Sequence, residues 1–445
     1  MRAGRAITIA RHFAAARWRW ERLRGQRLAA YQERRAREIV RFANERSPFY
    51  RDHWAGHDLT EWRALPTVDK RLMMANFARF NTIGVSADEA LEVALRAERS
   101  RDFTPTLRGV TVGLSSGTSG HRGVFLASPE EQAGWAGMIL SRTLHQFSGR
   151  LRVAFFLRSN NNLYEQVGGA LIQFQYFDLM TPITEAVTRL NLFRPHIVIG
   201  PPSLLGALAD EVAQSRLRIH PQRLISVAET LEPQDRERLQ SAFQAPVHEI
   251  YQCTEGLLAI SCARGSLHIQ EDLVALQFEP LDDQNAHSGD ERVTPIVTDL
   301  WRKTQPIIRY HLNDVLRLAY KPCRCGSDFR VIAAIEGRCD DICYFVTDAG
   351  DLRPFFPDVI RRMVLLASDA IAEYQAVQER PGQLCVRVAL LPGADPDMVD
   401  DALRRSAAET AAQYGCHPMD LTIEHELEPL APDMKRRRVR RLYQE

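Results

Sequence analysis

The sequence predicts an α/β protein with a large N-terminal domain of mainly parallel sheets and helices, a small β-rich subdomain and a small, mobile C-terminal α/β domain. Between residues 110 and 260, short apolar runs alternate with longer amphipathic stretches, a pattern typical of parallel strands connected by helices. A second alternation of strands and helices follows residue 340. The length of 445 residues is sufficient for two or three domains.

Composition places the chain among ordinary globular proteins. It is 45% hydrophobic, 25% charged and 8% aromatic, which excludes collagen-like, low-complexity and wholly disordered classes. No apolar run approaches the roughly 18 residues of a membrane span, and the Arg-rich start lacks the apolar core of a secretory signal. The eight cysteines therefore indicate reduced thiols or metal ligands rather than a disulfide framework, and we expect a cytoplasmic protein without a membrane span.

Charge is distributed unevenly along the chain. Residues 1–50 carry +9 and residues 435–445 carry +5, so the overall charge of +1 leaves −13 for residues 51–434. A basic start can bind nucleic acid or an anionic membrane surface. Glutamates interleave with the arginines of this segment, however, which favours an ordinary solvated helix and no nucleic-acid partner.

The first predicted element is a helix over residues 8–46 that ends at the Ser47-Pro48 breaker. We expect it to pack through its apolar side chains, which are Trp18, Leu28, Ile39, Val40 and Phe42. A short helix within residues 65–77 follows, with Thr67 or Asp69 as its N-cap.

The central part of the chain supplies the predicted sheet. Its strands are expected at 153–157, 197–200 and 224–229, and its helices at 129–144, 203–214 and 232–243. Short strands separated by turn residues then indicate a β-rich subdomain over about 268–336. The predicted domain boundaries are 1–339 and 340–445, and the second domain contains a strand at 384–391, a helix at 397–414 and a final strand at 421–427.

The sharpest local signal is the segment LSSGTSG at residues 114–120. Two glycines and four hydroxyl residues lie between Ser115 and Gly120, so backbone N–H groups and hydroxyls could converge on phosphate oxygens. The segment matches neither of the two common nucleotide-binding fingerprints. Taken alone, it is better explained as a flexible linker or a tight turn.

Further segments change that interpretation. LSSGTSG resembles the phosphate loop of the adenylate-forming superfamily, which contains acyl-CoA synthetases, adenylation domains and luciferases. The segments that resemble the other motifs of this family follow in the family's order: SVAETL (226–231), IYQCTEG (250–256), IIRYHLND (307–314) and GRCDD (337–341). The chain more closely resembles phenylacetate-CoA ligases and the CapK-like branch, through SPFYRDHW, LPTVDKRLMMANF and CRCGSDFRVIAAIEGRCDD.

The resemblance implies a binding site for ATP and Mg²⁺. The loop residues would cradle the β- and γ-phosphates: Ser115, Ser116, Gly117, Thr118, Ser119 and Gly120. Glu255 would bind Mg²⁺, a cation that prefers carboxylate oxygen, and Tyr251 would stack on adenine beside Gln252 and Thr254. Ala228 and Glu229 would lie at the adenine edge, and Asp314 would accept hydrogen bonds from the ribose. The sequence departs from the family where His121-Arg122 replaces the usual lysine after the loop and where Asn313 replaces a glycine.

The resemblance also implies a hinge and a catalytic lysine. Arg338 and Asp340 match the hinge pair, with Asp340 as the pivot of a lid-type rotation of the C-terminal domain. Lys435 lies where the family's C-terminal lysine is expected to contact the α-phosphate and the acyl carboxylate. Only four of the 57 Lys and Arg residues are lysines, which makes a lysine here notable, but a basic solvated tail explains the position equally well.

Three cysteines and one histidine match a metal site of phenylacetate-CoA-ligase-like proteins. These residues are Cys262, His268, Cys323 and Cys325. Such a donor set fits a closed tetrahedral Zn²⁺ site, which would be structural because no coordination position stays open. The alternative is a group of unrelated reduced thiols and a surface histidine.

The predicted function is ATP-dependent adenylation of a carboxylic acid to an acyl-AMP, followed by transfer to a thiol, most plausibly that of CoA. The resemblance favours an aromatic acid, with Trp135, Tyr164 and Phe174 as candidate pocket residues, although aromatics at such spacing are more often core. The alternatives are another acceptor (a carrier protein, an amine or a phenolic hydroxyl) and a catalytically silent scaffold. The expected partners are a small carboxylic acid and, in addition, an acyl carrier protein or a second copy of the chain.

Overall fold

The computed structural model describes residues 2–102, 104–114, 123–144, 150–157, 172–281, 291–429 and 435–443. Its helices, labelled α1 to α12, are Arg2–Arg22, Gly25–Arg46, Pro48–His53, Lys70–Ala75, Phe77–Phe80, Ala87–Ser100, Pro129–Thr143, Ile183–Phe193, Pro202–Ala213, Pro233–Phe243, Pro357–Leu365 and Pro396–Gln413. Short 3-10 helices span Leu59–Ala64 and Cys339–Asp341.

The strands, labelled β1 to β20, occupy the chain mainly after residue 110. They are Thr111–Leu114, Val124–Ala127, Leu151–Leu157, Ile172–Asp178, Ile197–Gly200, Arg223–Val227, Val247–Cys253, Gly256–Ser261, Leu267–Ile269, Val274–Pro280, Arg292–Asp299, Tyr310–His311, Asp314–Leu318, Val331–Arg338, Cys343–Val346, Leu352–Phe355, Ile371–Gln378, Gln383–Leu390, Asp420–Glu424 and Val439–Arg441. The predicted α/β class is confirmed.

The chain divides into two compact units that are interleaved in sequence. The first unit comprises Met1–Phe278, Ile296–Leu312 and Lys321–Ala333. The second unit comprises Glu279–Pro295, Asn313–Tyr320 and Ala334–Glu445. A lid motion about Asp340 stays a prediction.

The first unit is built on parallel strands in the order β4-β3-β5-β6-β7, continued by the antiparallel strands β8 and β9. The helices α8, α9 and α10 connect or follow these strands and bury apolar side chains against them, including Leu190, Leu205 and Leu239. The predicted helices α9 and α10 each contain a proline in the first turn, where the missing N–H costs no hydrogen bond. The helix α8, which was not predicted, follows Pro182.

The basic N-terminal segment is not one helix, and the prediction of a continuous helix over 8–46 is wrong. The helix is interrupted between Arg22 and Gly25. Gly25 adopts a φ of +45°, a left-handed conformation that glycine tolerates. Trp18 was expected to pack but is 58% exposed, whereas Leu28, Ile39 and Val40 are buried as predicted. The segment is also less solvated than expected, because Arg19 donates a buried hydrogen bond of 2.8 Å to Asp272.

The second unit contains a four-stranded sheet in the order β19-β18-β17-β20, with α11 and α12 packed on it. Its core includes Phe345, Phe355, Tyr374 and Leu403. The last strand, Val439–Arg441, was not predicted; it runs parallel to Ile371–Gln378. None of the helices in the described ranges is both long and apolar enough to cross a membrane.

Candidate active site and metal site

Two of the motif segments lie next to each other at one edge of the parallel sheet in the first unit. Val227, the last residue of β6, is paired with Ile250 of β7. Ala228 and Glu229 therefore follow β6 beside the position of Tyr251. Ligands of open α/β sheets bind at the carboxyl ends of the strands, so this edge is the candidate active site.

Thr254 and Glu255 form the tip of a tight hairpin at this edge. Cys253 is paired with Gly256, and the register shifts between Tyr251 and Gln252. The Thr254 hydroxyl donates a hydrogen bond of 2.8 Å to Glu255 Oε2. The side chain of Glu255 is half-buried, so its carboxylate is held at the tip rather than free in solvent.

Two residues that no sequence motif indicated support this hairpin. The Arg302 guanidinium donates to the Thr254 carbonyl. The Asp299 carboxylate accepts hydrogen bonds from the backbone N–H groups of Trp301, at 2.8 Å, and Arg302, at 3.0 Å. A Cβ added to Gly256 would lie 3.6 Å from Asp299 Oδ2, at ordinary van der Waals contact, so the hairpin tip lies directly against this carboxylate.

Asp299 is a buried acid, 8% exposed. Burial raises its pKa, and the charge of Arg302 and the two backbone hydrogen bonds oppose that rise. Burial, followed by the charge of Glu255, also raises the pKa of Tyr310. A signal for Asp299 was present in the segment TDLWR, where a carboxylate follows an apolar strand, but such a residue is common at strand ends.

Ala228 and Glu229 adopt a specific local geometry. Ala228 has a φ of +71°, in the left-handed region that residues other than glycine rarely adopt. Glu229 accepts hydrogen bonds from the Ser203 N–H at 3.1 Å and from the Ser203 hydroxyl at 3.0 Å. The carboxylate is thus anchored at the first turn of α9. This anchor fixes the orientation of Ala228 and Glu229, the two residues that were predicted to lie at the edge of the adenine.

The predicted phosphate loop lies outside the described residues, as do His121 and Arg122. The strands that flank it, β1 and β2, form an antiparallel pair in which Gly113 faces Phe125. A Cβ on Gly113 would lie 2.1 Å from Phe125 Cζ, so only glycine fits under the ring. The Leu126 N–H donates a hydrogen bond of 2.8 Å to Gln305, which fixes β2.

The candidate pocket aromatics are partly described. Trp135 and Phe174 pack against a core cluster that contains Met138, Val153 and Ile250, in agreement with the interpretation of such residues as core. Tyr164 and the segment 158–164 lie outside the described residues.

In the second unit, the predicted ribose and hinge residues lie close together. Arg338 Nε lies 3.9 Å from Asp314 Oδ1. The Asn313 amide donates a hydrogen bond to the Asp340 carboxylate, and the Cys339 N–H donates to the Asn313 carbonyl at 3.0 Å. These contacts connect Asp314 and its neighbour Asn313 to the predicted hinge segment within the second unit.

The tail that carries Lys435 is ordered by ion pairs, so the alternative of a solvated basic tail is wrong for the arginines that follow this lysine. Arg437 binds the buried Asp341 carboxylate, with Nε 3.0 Å from Oδ2. Arg436 and Arg438 both bind Glu373. Lys435 itself is half-buried.

The four predicted metal ligands come together in the first unit. The donor atoms of Cys262, His268, Cys323 and Cys325 all lie within 4.8 Å of one another. Cys262 Sγ lies 3.8 Å from Cys323 Sγ, and Cys325 Sγ lies 3.4 Å from His268 Nε2. A tetrahedron with Zn–S bonds of about 2.3 Å has S···S edges of about 3.8 Å, so these spacings fit zinc.

The surroundings of these residues orient them for a cation. His268 Nδ1 donates to the Phe329 carbonyl at 2.7 Å, which leaves Nε2 with its lone pair toward the cysteines. Burial raises the pKa of the Cys262 thiol to about 11. Burial also opposes ionisation of Cys323, but hydrogen bonds with Ser266 and the Cys325 N–H outweigh it and lower the pKa of Cys323 to about 6.

These features define a class of protein by fold and site. The fold of the chain is that of adenylate-forming CoA ligases: it resembles 2-hydroxyisobutyryl-CoA ligase in its postadenylation state with a TM-score of 0.69, at 18% identity, over 93% of this chain and 89% of that one. A benzoate CoA ligase from Burkholderia xenovorans LB400 is similar with a TM-score of 0.50, at 15% identity, over 75% and 68% of the two chains.

One sequence relative refines this class. The chain is 24% identical to the phenylacetate-coenzyme A ligase of Thermus thermophilus over 388 residues, which is 82% of this chain and 81% of the relative. No protein family model matches the chain. The resemblance that the motifs indicated, to the adenylate-forming superfamily and its phenylacetate-CoA ligase branch, is confirmed, and the protein is CoA-ligase-like.

Proposed function

We propose that the protein is an ATP-dependent acid–thiol ligase. A carboxylate oxygen of the substrate attacks the α-phosphorus of ATP, and pyrophosphate leaves, which gives an acyl-adenylate. The thiol of CoA then attacks the acyl carbonyl carbon, and AMP leaves. The observation that carries this proposal is the position of Ala228, Glu229 and Tyr251–Glu255 at the carboxyl ends of adjacent parallel strands.

The residues of the first unit would bind and orient the nucleotide. Tyr251 would stack on adenine, and Ala228 would allow the base to approach the backbone. Glu255, held by Thr254, would bind Mg²⁺, which screens the phosphate charges. Gln252 and Thr254 would shape the same wall, and the loop 115–120 would supply phosphate contacts.

The residues of the second unit would bind the ribose and stabilise developing charge. Asp314 would accept hydrogen bonds from the ribose hydroxyls, with Arg338 beside it. Asp340 would act as the pivot of the second unit. Lys435 would place its ammonium against the charge that develops on the α-phosphate and the acyl carboxylate during adenylation, which is stabilisation by a positioned cation rather than covalent catalysis.

We extend the proposal to the substrate class. The name of the Thermus thermophilus relative, a phenylacetate-coenzyme A ligase, supports an aromatic carboxylic acid. We also propose that Cys262, His268, Cys323 and Cys325 hold a structural Zn²⁺, since the donor set is complete and no position remains for a substrate.

The test is pyrophosphate release from ATP and Mg²⁺ across a panel of aryl and aliphatic acids, with and without CoA. We expect release with aryl acids, and thioester formation only after CoA is added. Pyrophosphate release without formation of a CoA thioester would indicate an acceptor other than CoA. The absence of both pyrophosphate release and ATP binding would refute the proposed function.

A substitution at the hairpin tip makes the test specific. We expect Glu255→Gln to lower the rate of pyrophosphate release by about 100-fold, because the Mg²⁺ that would screen the phosphates loses its carboxylate ligand. Glu237→Gln is the matched control, since Glu237 is exposed on α10, away from the strand ends. An equal rate in both variants would contradict the role of Glu255.

A further inference from the structure

A second concave site lies at the opposite edge of the same sheet. A cavity of about 840 Å³ opens where the parallel strands of the first unit begin. Arg152 is the second residue of β3, and His196 immediately precedes β5. The candidate active site lies at the carboxyl ends of these strands, so the two sites are separated by the length of the sheet.

The cavity is lined by basic side chains in a regular pattern. Arg216, Arg218 and His220 alternate with Leu217 and Ile219, which are 2% and 4% exposed. The alternation is that of an extended chain, in which successive side chains point to opposite faces. Leu217 and Ile219 are buried in the core, with Ile219 also bordering the cavity, and the three basic residues face outward together.

Carboxylates are scarce around this cavity. Its lining contains four arginines and two histidines and no Asp or Glu: Arg152, Arg194, Arg216, Arg218, His196 and His220. Arg216 is neutralised by Glu211, with contacts of 2.6 and 2.7 Å. Within the described ranges of the chain, the other three arginines have no carboxylate partner.

The bonds of the remaining arginines leave most of their donors available. Arg152 Nε donates to the Arg194 carbonyl at 2.8 Å, and Arg218 Nε donates to the Ser215 carbonyl at 3.1 Å. Both acceptors are neutral, so the guanidinium charges are not compensated. His196 accepts the Arg152 N–H at its Nδ1, at 3.0 Å, which leaves Nε2–H as a further donor.

The positive charge at this cavity contrasts with the net negative charge of the part of the chain that forms it. Residues 51–434 carry −13 in total, yet three uncompensated guanidinium groups converge here. Like charges that line one cavity repel each other, and a bound anion relieves that repulsion. Planar guanidinium groups match phosphate oxygens in a bidentate manner, and the volume lies within the range of small-ligand pockets.

We propose that this cavity is a binding site for a small polyanion that carries phosphate groups, distinct from the proposed adenylation site. Arg152, Arg194 and Arg218 supply the charge, and the Nε2–H of His196 supplies a neutral donor. The site needs neither Mg²⁺ nor Glu255, and its existence does not depend on the ligase reaction.

The experiment is calorimetric titration of the full chain with inorganic pyrophosphate in a buffer without Mg²⁺, which excludes Mg²⁺-dependent binding at Glu255 and leaves the proposed Zn²⁺ site intact. We expect one site in the wild type and a dissociation constant raised at least about tenfold in Arg194→Gln/Arg218→Gln, because two charge-assisted contacts are lost. The matched control is Arg380→Gln/Arg405→Gln, which removes two exposed arginines elsewhere.

The remaining outcomes are also decisive. Unchanged binding in Glu255→Gln would support the separate site, whatever the activity of that variant. No heat of binding in the wild type at millimolar pyrophosphate would overturn the proposal, as would equal weakening in the control. Citrate that binds more tightly than pyrophosphate would overturn the assignment to phosphate.

Discussion

Arg437 and Asp341 form a forked ion pair, with Arg437 Nε 3.0 Å from Asp341 Oδ2 and the second guanidinium nitrogen on Oδ1. Asp341 is 3% exposed and follows the predicted pivot Asp340. Arg437 lies two residues after Lys435. The pair therefore joins the end of the chain to the hinge segment within the second unit.

Removal of this pair should weaken both stability and catalysis. We expect Asp341→Asn to lower the free energy of unfolding by about 3 kcal/mol, because Arg437 loses its charge partner in a largely buried site. Under the proposed function, it should also slow acyl-adenylate formation, since Lys435 would lose its fixed position. Urea unfolding and pyrophosphate release measure these effects, and Asp369→Asn, an exposed carboxylate of the same unit, is the control. Equal stability of the two variants would refute the expectation.

Glu373 should contribute a pH-dependent part of the stability. Burial acts to raise the pKa of Glu373, but the hydrogen bonds and charges of Arg438 and Arg436 outweigh it and hold the pKa below its usual value. The folded state therefore gains stability above the unfolded pKa of about 4.3, and this gain is lost as the pH falls through the folded pKa. Unfolding measured between neutral and acidic pH should show a smaller acid-induced loss in Glu373→Gln than in the wild type. Parallel pH profiles would contradict this role.

Gly113 should tolerate no side chain while Phe125 is present. We expect Gly113→Ala to lower the free energy of unfolding by about 1–3 kcal/mol, because its Cβ would overlap the ring. When Phe125 is already replaced by alanine, the further change Gly113→Ala should lower the free energy of unfolding by less than it does in the wild type. The control is Gly206→Ala in α9, where a Cβ finds only an ordinary contact at 3.7 Å. A full loss in the double variant would show that the ring is not the cause.

The cysteine and histidine cluster should bind one zinc ion per chain. Elemental analysis of the purified protein should give this ratio, and Cys323→Ser/Cys325→Ser should abolish it. Chelation should lower the unfolding temperature of the wild type, because metal-binding free energy contributes to folding. Cys385→Ser, in the second unit, should retain full zinc content. Zinc retained by the double variant would remove these residues from the site.

Local patterns allowed much of the fold to be predicted from the sequence. The alternation of apolar runs and amphipathic stretches predicted the strands β3, β5 and β6 and the helices α7, α9 and α10, because periodicity depends on near neighbours. Asp69 was one of two predicted N-caps, and it accepts the Leu72 N–H at 2.6 Å. The break before Gly25 was missed, since an isolated glycine inside a helical pattern is tolerated and does not by itself end a helix.

The candidate site was predicted from ordered motifs, and the parts that these motifs do not contain were missed. Asp299 and Arg302 support the hairpin of Glu255 from a turn about 45 residues later in the chain. The spacing of residues along the sequence does not indicate from which backbone N–H groups a buried carboxylate will accept hydrogen bonds. The basic cavity was missed for the same reason, because its arginines come from three separate segments.

The sequence by itself determined the α/β class, the order of the motifs and the identity of the four metal-ligand candidates. These features depend on residue type, local periodicity and resemblance, all of which are read along the chain. Only the tertiary structure decided that Arg437 binds Asp341, that Val439–Arg441 of the basic tail forms a strand, and that uncompensated arginines line one cavity at one edge of the sheet. Such contacts join residues up to about 100 positions apart, and they form only when packing of the apolar core has brought those segments together.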